Sequence, residues 1–344
     1  MPVLTPRNLT FAAMLALTAC ADDAMHAADN DARAPLAQGA QTEQTDASVV
    51  KREALTVGTF TFDVLTAGPA SGPTVILLHG FPQNATEWAA QIPALAKAGY
   101  RVIAPNQRGY SPGARPAEVA AYITPNLVRD VLGIADAAGA KRFHLVGHDW
   151  GASVAWAVAG AAPERLLSVT PISVPHPLAF AKVLADPTSC QPQSSSYFAR
   201  LIAPNAEQSL LANNGAGLRL IYGDLPRATA DAYVKFFDQP TLTGALNWYR
   251  ANLGARAGAT PATQAAQADA PRAASGLTTV PTLYVWSDRD TALCRDGAVL
   301  TKDYVTGPYQ FEIIEGVSHW VPELAAERLN TVLLAHLAKF DAKP

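Results

Sequence analysis

Residues 147–151, with the sequence Gly-His-Asp-Trp-Gly, form the segment with the clearest chemical meaning. They lie between a predicted strand and a predicted helix, which is the pattern of a nucleophile elbow, a tight turn that raises one side chain above a sheet. Asp149 occupies the central position. A carboxylate with a pKa of about 4 is already ionised at neutral pH, so it can attack a saturated carbon and form an alkyl ester. The alternative is a turn or helix N-cap aspartate. No serine stands at the elbow, which disfavours a serine esterase.

Two later segments could complete a catalytic triad. Asp290 follows the predicted strand 282–286, and His319 follows the predicted strand 309–314. This chain order matches the nucleophile, acid and base of hydrolases built on such an elbow. We expect His319 to take a proton from water, and Asp290 to orient the imidazole and stabilise its cation. Asp288 is the alternative acid, although it can also be explained as a turn residue with no catalytic role.

A His-Gly-Phe-Pro stretch that begins at His79 follows the predicted strand 74–78, where a hydrolase of this architecture carries its oxyanion loop. The backbone N–H groups of Phe81 and Trp150 are predicted to face the carbonyl oxygen of the ester. We also expect His79, Pro82 and Trp150 to border the substrate.

Positioning these residues requires a sheet whose strand ends meet at one edge. Apolar runs alternate with helical periodicity, which predicts an α/β fold: a mostly parallel sheet with helices on both faces. The pattern becomes helical after residue 175, and residues 251–276 are a low-complexity linker. The predicted domains are a core (48–175 and 277–344) with a helical cap inserted into it (176–250). Predicted strands span 51–55, 59–65, 74–78, 101–104, 143–146, 166–172, 282–286 and 309–314; predicted helices span 86–97, 126–138, 152–161 and 322–338.

Composition excludes several classes of protein. The 344 residues contain 26 Lys+Arg and 29 Asp+Glu, a net charge of −3 that argues against a general nucleic-acid binder. Hydrophobic residues make up 49% of the chain, which is enough for a large core and argues against global disorder. We find neither a metal-ligand cluster nor a phosphate-binding loop, so no cofactor is implied.

The N-terminal segment indicates that the protein is exported. Residues 1–20 have the pattern of a signal peptide and end in a Leu-Thr-Ala-Cys sequence that resembles a bacterial lipobox. This resemblance predicts lipidation at Cys20. The alternative is an ordinary signal peptide that contains a cysteine. Residues 21–47 are predicted to be a disordered tether. We therefore expect a periplasmic or outer-membrane-anchored lipoprotein of a bacterium. In that oxidising compartment Cys190 and Cys294 could form a disulfide or remain two buried thiols.

Over residues 49–340 the chain resembles α/β-hydrolases of the epoxide hydrolase/haloalkane dehalogenase branch, closest to the epoxide hydrolases. The resemblance implies an aspartate nucleophile and an α/β-hydrolase fold with a cap. The segments that carry it are His79-Gly80-Phe81-Pro82, Arg108-Gly109-Tyr110-Ser111, Gly147–Gly151 and Gly316–Trp320.

The resemblance also implies how the leaving group is stabilised. Epoxide hydrolases of this branch use two cap tyrosines as proton donors, and the segments around Tyr197 and Tyr249 resemble theirs. A small apolar epoxide is therefore the first expectation for the substrate. A haloalkane or haloacid dehalogenase with the same triad is the alternative. Phe81 departs from the asparagine of many dehalogenases, and Trp150 departs from the arginine with which fluoroacetate dehalogenases hold a carboxylate. We interpret Arg108 as a structural ion-pair partner.

A third hypothesis, from a different class, is a catalytically silent, ligand-binding lipoprotein. The sequence leaves open whether the chain forms a homodimer. The only contact with a membrane that it implies is through the N-terminal lipid.

Overall fold

An eight-stranded sheet organises residues 49–253 and 276–341, the parts of the chain that the computed structural model describes. Numbered in chain order, β1 to β8 span Lys51–Val57, Phe60–Ala67, Thr74–Leu78, Arg101–Pro105, Phe143–His148, Leu166–Ile172, Thr282–Ser287 and Tyr309–Ile314. Their spatial order is β1-β2-β4-β3-β5-β6-β7-β8. Strand β2 runs antiparallel to β1 and β4, and the other neighbours pair in parallel. The predicted mostly parallel sheet is therefore confirmed.

Twelve α-helices accompany this sheet in the described residues. Numbered in chain order, α1 to α12 span Gln91–Lys97, Thr124–Ala137, Trp150–Ala161, Pro177–Ala185, Gln191–Ser194, Phe198–Leu201, Ala206–Tyr222, Arg227–Phe236, Gln239–Leu253, Arg295–Leu300, Val321–Leu324 and Ala326–Phe340. Short 3-10 helices span Ala85–Trp88, Pro112–Ala114, Val119–Tyr122, Pro163–Arg165 and Thr301–Tyr304. None of the helices in these two ranges combines the length and apolar character needed to cross a bilayer.

Strand β3 shows how the sheet is covered on both faces. Successive side chains of a strand point to opposite sides. Val75 and Leu77 belong to the core cluster that includes residues of α1 and α12, whereas Ile76 and Leu78 belong to the cluster that includes residues of α2 and α3. A continuous apolar run is therefore required at β3, since both faces of the strand are buried.

Helices α4 to α9 lie in the chain between β6 and β7, in the stretch for which the sequence predicts a cap. A disulfide joins Cys190, just before α5, to Cys294, just before α10, with Cα atoms 6.2 Å apart. Of the two states that the sequence left open for these cysteines, the structure has the bridge. The predicted signal peptide, the tether and most of the predicted linker lie outside the described residues.

Candidate active site

The turn between β5 and α3 places Asp149 at the end of a buried parallel strand. Its backbone has φ 50° and ψ −118°, a positive φ that non-glycine residues rarely adopt and that is typical of a strained functional turn. Two glycines permit the close approach of strand and helix. A Cβ at Gly147 would lie 2.2 Å from the carbonyl oxygen of Gly151, and a Cβ at Gly151 would lie 2.0 Å from that of Leu78.

Two loops at the same edge of the sheet bring an imidazole and a second carboxylate to Asp149. His319 Nε2 lies 3.6 Å from Asp149 Oδ2, and His319 Nδ1 lies 2.7 Å from Asp290 Oδ2. The other oxygen of Asp290 accepts hydrogen bonds from the N–H groups of Ala292 and Leu293. The structure thus brings together the three residues that the sequence predicts as a triad.

Asp288, the alternative acid, has a different role. Its Oδ1 accepts a hydrogen bond from the N–H of Gly316 at 2.6 Å, and its side chain stabilises the loop after β8. This geometry agrees with the prediction of Asp290, and not Asp288, as the acid that orients His319.

Charge interactions fix the protonation of Asp149 and His319 in the resting site. Burial opposes the ionisation of Asp149, but the hydrogen bond and the charge of His319 outweigh it, so the pKa of Asp149 lies below its ordinary value. Burial likewise opposes the charging of His319, but the charge of Asp290 and the hydrogen bond to Asp149 raise the pKa of His319 well above its ordinary value. The resting site therefore holds a carboxylate beside an imidazolium.

The turn after β3 supplies a hydrogen-bond donor to Asp149. The N–H of Phe81 donates to Asp149 Oδ1 at 2.8 Å. The N–H of Trp150 belongs to the first residue of α3, at the positive end of the helix dipole. The carboxylate of Asp149 thus has one oxygen held by a backbone donor, while its other oxygen faces His319.

Asp149 and His319 open onto a cavity of about 860 Å³. Its inner wall is largely apolar and aromatic, and exposed polar and charged side chains lie at its mouth. This size is at the upper end of the usual range for small-molecule sites. The lining includes Phe81, Tyr197, Leu201, Leu210, Tyr249 and Trp320, and toward solvent Arg200, Asp224 and Arg289.

Both tyrosines predicted from the resemblance line this cavity. Tyr249 lies in α9, and Tyr197 immediately precedes α6. Burial and the charge of Asp149 raise the pKa of each phenol well above its ordinary value. Each side chain is therefore a neutral O–H donor at any physiological pH, and both residues line the cavity onto which Asp149 opens.

The expectation that His79 borders the substrate needs correction. Its side chain is buried outside the cavity lining: Nδ1 donates to the carbonyl of Gly80 at 2.9 Å, and Nε2 accepts from the N–H of Gln107 at 3.2 Å. Burial lowers the pKa of His79 to about 4, so the ring is neutral. His79 stabilises the turn that carries Phe81 and makes no contact with the cavity.

Pro82 and Trp150 were also expected to border the substrate, and neither side chain belongs to the cavity lining. The carbonyl of Pro82 accepts a hydrogen bond from the hydroxyl of Tyr222 at 2.6 Å. The indole of Trp150 packs edge-to-face against Tyr249, with ring centroids 5.0 Å apart. Trp150 therefore supports a residue of the cavity wall.

Arg108 is an ion-pair partner, as interpreted from the sequence. It forms two hydrogen bonds to Asp130 of α2, at 2.7 and 2.6 Å, and its guanidinium lies over the ring of Phe60. Its carbonyl accepts a hydrogen bond from the indole of Trp248, the neighbour of Tyr249. Arg108 thus links the core to the helix that carries Tyr249.

Sequence reasoning missed a buried acid behind the site. Glu87 contacts His148, the residue before the nucleophile, and accepts a hydrogen bond from Gly80. The one signal for it is a glutamate directly before Trp88 in a segment predicted to be helical. The polar residues at the cavity mouth have no signal in the sequence, because any surface loop contains such residues.

Comparison with known proteins agrees with this geometry. Residues 73–326 match the family described as alpha/beta hydrolase fold. Epoxide hydrolase A of Mycobacterium tuberculosis (strain ATCC 25618 / H37Rv) is 30% identical over 319 aligned residues, covering 81% of this chain and 95% of that protein. AB hydrolase superfamily protein YfhM of Bacillus subtilis (strain 168) is 31% identical over 299 residues, covering 84% and 98%.

A solved structure is similar over almost the same range. The crystal structure of Epoxide Hydrolase A from Mycobacterium thermoresistibile has a TM-score of 0.71 and 26% identity, with 86% of this chain and 100% of that chain covered. The family match and the two relatives each span most of the chain. The protein therefore belongs to the α/β-hydrolase superfamily, and within it to the branch that contains the epoxide hydrolases.

Proposed function

We propose that this hydrolase opens epoxides to vicinal diols through an alkyl ester on Asp149. One observation carries the proposal: the carboxylate of Asp149, the His319–Asp290 pair and the phenols of Tyr197 and Tyr249 all meet at one cavity. The names of the relatives, two of which are Epoxide hydrolase A, support epoxide hydrolysis in general. The two phenols favour an epoxide over a halide, because a halide ion leaves without needing a proton.

The first half-reaction forms the ester. Asp149 Oδ2 attacks a ring carbon of the epoxide, and the bond from that carbon to the ring oxygen breaks. The ring oxygen takes the electron pair and receives a proton from the hydroxyl of Tyr197 or Tyr249. Oδ1 becomes the carbonyl oxygen of the ester and keeps its hydrogen bond to the N–H of Phe81.

The second half-reaction releases the diol. Alkylation removes the charge of Asp149, which is one of the interactions that raise the pKa of His319. His319 then passes its proton through solvent to the tyrosine phenolate left by the first step. Now neutral, His319 takes a proton from water while the hydroxide attacks the ester carbon. The N–H of Phe81 stabilises the tetrahedral oxyanion, a contribution typically worth about 3 kcal/mol. The carbon–Oδ2 ester bond then breaks within the carboxyl group, and the leaving alkoxide takes the proton from His319.

Replacing His319 tests the covalent scheme. His319→Gln retains the nucleophile and removes the base, so we expect the ester to form and to persist. Intact-mass measurement should show an epoxide adduct, and peptide mapping should place it on Asp149. Asp149→Asn is the matched control and should show no adduct. Turnover by the wild type without an adduct on His319→Gln, for every epoxide and haloalkane tried, would disprove the scheme.

Isotope labelling tests the same step without mutation. The water oxygen enters the carboxylate of Asp149, and the diol takes its second oxygen from that carboxylate. A single turnover in ¹⁸O-water should therefore label the peptide that contains Asp149 and leave the diol unlabelled. Label in the diol after one turnover would show that water attacks the epoxide directly.

We also propose that the protein is exported and lipidated at Cys20. The lipobox-like sequence supports this, and the disulfide between Cys190 and Cys294 is typical of an oxidising compartment. Labelled palmitate should enter the wild-type chain in a bacterial host and should be absent from Cys20→Ser. Equal labelling of both chains would contradict the assignment.

A further inference from the structure

A buried carboxyl–imidazole pair lies beside the catalytic residues and outside the lining of the cavity. Glu87 belongs to the 3-10 helix Ala85–Trp88, and His148 is the last residue of β5. Both side chains have zero exposed fraction. The mechanism above uses neither of them.

We propose that Glu87 and His148 form a neutral, hydrogen-bonded pair that positions the oxyanion turn and the loop of the catalytic base. In this pair Glu87 is a protonated carboxylic acid that donates to His148. Both are positioning residues, since neither touches substrate. Only the kinetic consequences of the pair rest on the proposed function.

The contacts of the pair reach both catalytic loops. Glu87 Oε2 accepts a hydrogen bond from the N–H of Gly80 at 3.0 Å, and Glu87 Oε1 contacts His148 Nδ1. At the other end, His148 Nε2 lies 3.0 Å from the carbonyl oxygen of His319. Gly80 directly precedes Phe81, the donor to Asp149. One chain of hydrogen bonds therefore connects the oxyanion donor to the backbone of the base.

The partner of each atom fixes the proton positions. A carbonyl oxygen only accepts, so His148 Nε2 carries a hydrogen and donates to His319. In a neutral imidazole the other nitrogen, Nδ1, is then an acceptor. The contact from Glu87 Oε1 must supply the hydrogen, which requires the carboxylic acid. Glu87 Oε2 remains free to accept from Gly80.

Electrostatics favour this neutral pair over an ion pair. Burial and the charge of Asp149 raise the pKa of Glu87 well above its ordinary value. Burial and the charge of His319, whose ring centroid lies 4.7 Å away, lower the pKa of His148 to about 4. An ionised pair would place a second anion near Asp149 and a second cation against His319. Glu87 and His148 are therefore each more stable in the uncharged form.

Another acid faces the pair and does not change this assignment. Glu323 of α11 accepts a hydrogen bond from the hydroxyl of Tyr233 at 2.9 Å, and burial raises its pKa to about 7. Where Glu323 is ionised, its charge further disfavours an ionised Glu87. A neutral Glu323 leaves the hydrogen-bond assignment unchanged.

The proposal predicts a contrast between two substitutions of Glu87. In Glu87→Gln the amide NH₂ replaces the acid as donor to His148, and the amide oxygen still accepts from Gly80. We expect kcat within about threefold of the wild type. Glu87→Leu leaves both partners unpaired, and we expect ester hydrolysis to slow by about 10- to 100-fold, with kcat and KM falling together because alkylation is little changed. If the pair were instead ionic, Glu87→Gln would leave a buried imidazolium without a counter-charge. Its kcat would then fall as far as that of Glu87→Leu, which would contradict the proposal.

Nitrogen NMR of the resting wild type tests the pair without turnover, so it remains informative even if the enzyme does not act on epoxides. We expect His148, assigned by the loss of its signals in His148→Gln, to show a neutral ring protonated at Nε2 throughout the neutral range. Glu87→Gln should leave this tautomer unchanged, with folding of each variant checked by circular dichroism. An imidazolium signal, or a ring protonated at Nδ1, would overturn the proposal.

Discussion

At Asp149 and His319 the resting protein holds the base in its protonated form. His319 carries a proton because Asp290 and Asp149 are both anionic beside it. In the proposed mechanism Asp149 becomes an ester, so one of those anions is lost and the proton on His319 is less tightly held. Under that proposal the base becomes available only after the nucleophile has reacted, which orders the two chemical steps.

This coupling gives a testable pH dependence. The pKa of Asp149 is lowered, so its carboxylate stays charged to a lower pH than an ordinary aspartate, and in the proposed mechanism it remains able to attack. Ester hydrolysis in that mechanism needs neutral His319, so it slows as the pH falls through the pKa of His319 in the ester. We expect the steady-state fraction of alkylated enzyme, measured by rapid quench and intact mass, to be greater at about pH 5 than at about pH 8. An adduct fraction that does not change, or that falls with acidity, would contradict this assignment of base and nucleophile.

Tyr249 offers a test of leaving-group protonation. Tyr249→Phe retains the ring that packs on Trp150 and removes the hydroxyl. We expect the alkylation rate with an epoxide to fall by about 100-fold, as for the loss of a general acid. Displacement of bromide from a haloalkane should change little.

Tyr284→Phe is the matched control, because its hydroxyl donates to the carbonyl of Ser173 and does not line the cavity. Equal losses with both substrates in Tyr249→Phe would indicate a packing role for this tyrosine.

The sequence predicts some of these residues and misses others for physical reasons. Asp149, Asp290 and His319 each follow a strand of the sheet, and parallel strands end at one edge, so their meeting was predictable. His79 has the same position after a strand, but its ring turns inward because Gly80 and Gln107 offer it partners. Glu87 gave little signal, because its role depends on where a distant strand places His148.

At the scale of elements, the elbow depends on how closely α3 approaches β3. A methyl group at Gly151 would lie 2.0 Å from the carbonyl oxygen of Leu78, which is backbone and cannot rotate away. We expect Gly151→Ala to lower the free energy of unfolding by at least about 1–3 kcal/mol, the usual cost of overpacking. Urea unfolding measures the change.

Gly276→Ala serves as the control, since a Cβ there has no atom of the described residues within 4 Å and should change stability little. If both variants unfold at the same urea concentration, the approach of α3 to β3 is less tight than the structure indicates.

Helix boundaries were harder to predict than strands. The predicted helix 86–97 is a 3-10 turn followed by α1, and the predicted helix 322–338 is divided into α11 and α12. Hydrophobic periodicity identifies the apolar face of both segments but does not show where one helical element ends and the next begins. Asn213, Asn214 and Gly215 interrupt α7 with positive φ, and these are residue types that tolerate that conformation.

At the scale of the molecule, the disulfide ties the helical segment after β6 to the core loop that follows Asp290. It joins residues 104 positions apart. A bridge that closes so long a loop restricts the unfolded chain strongly, and we expect its loss to lower the free energy of unfolding by about 2–5 kcal/mol. Cys190→Ser, Cys294→Ser and the double variant should lose the same amount, measured by urea unfolding.

Reduced wild type should match the three serine variants, because all four lack the same bond. A double variant much less stable than either single variant would show that the thiols contribute by packing and that the bond contributes little.

The interruption in α7 separates two kinds of change that the chain can accept. Both halves of the helix form cavity wall, Ser209 and Leu210 before the interruption and Gly217 and Ile221 after it. Asp149, Asp290 and His319, by contrast, stand on loops that follow strands of the sheet. Insertions or substitutions at the interruption can therefore change the shape of the cavity without moving the triad residues. Such a scaffold can acquire a new substrate specificity through mutations that do not affect the catalytic residues.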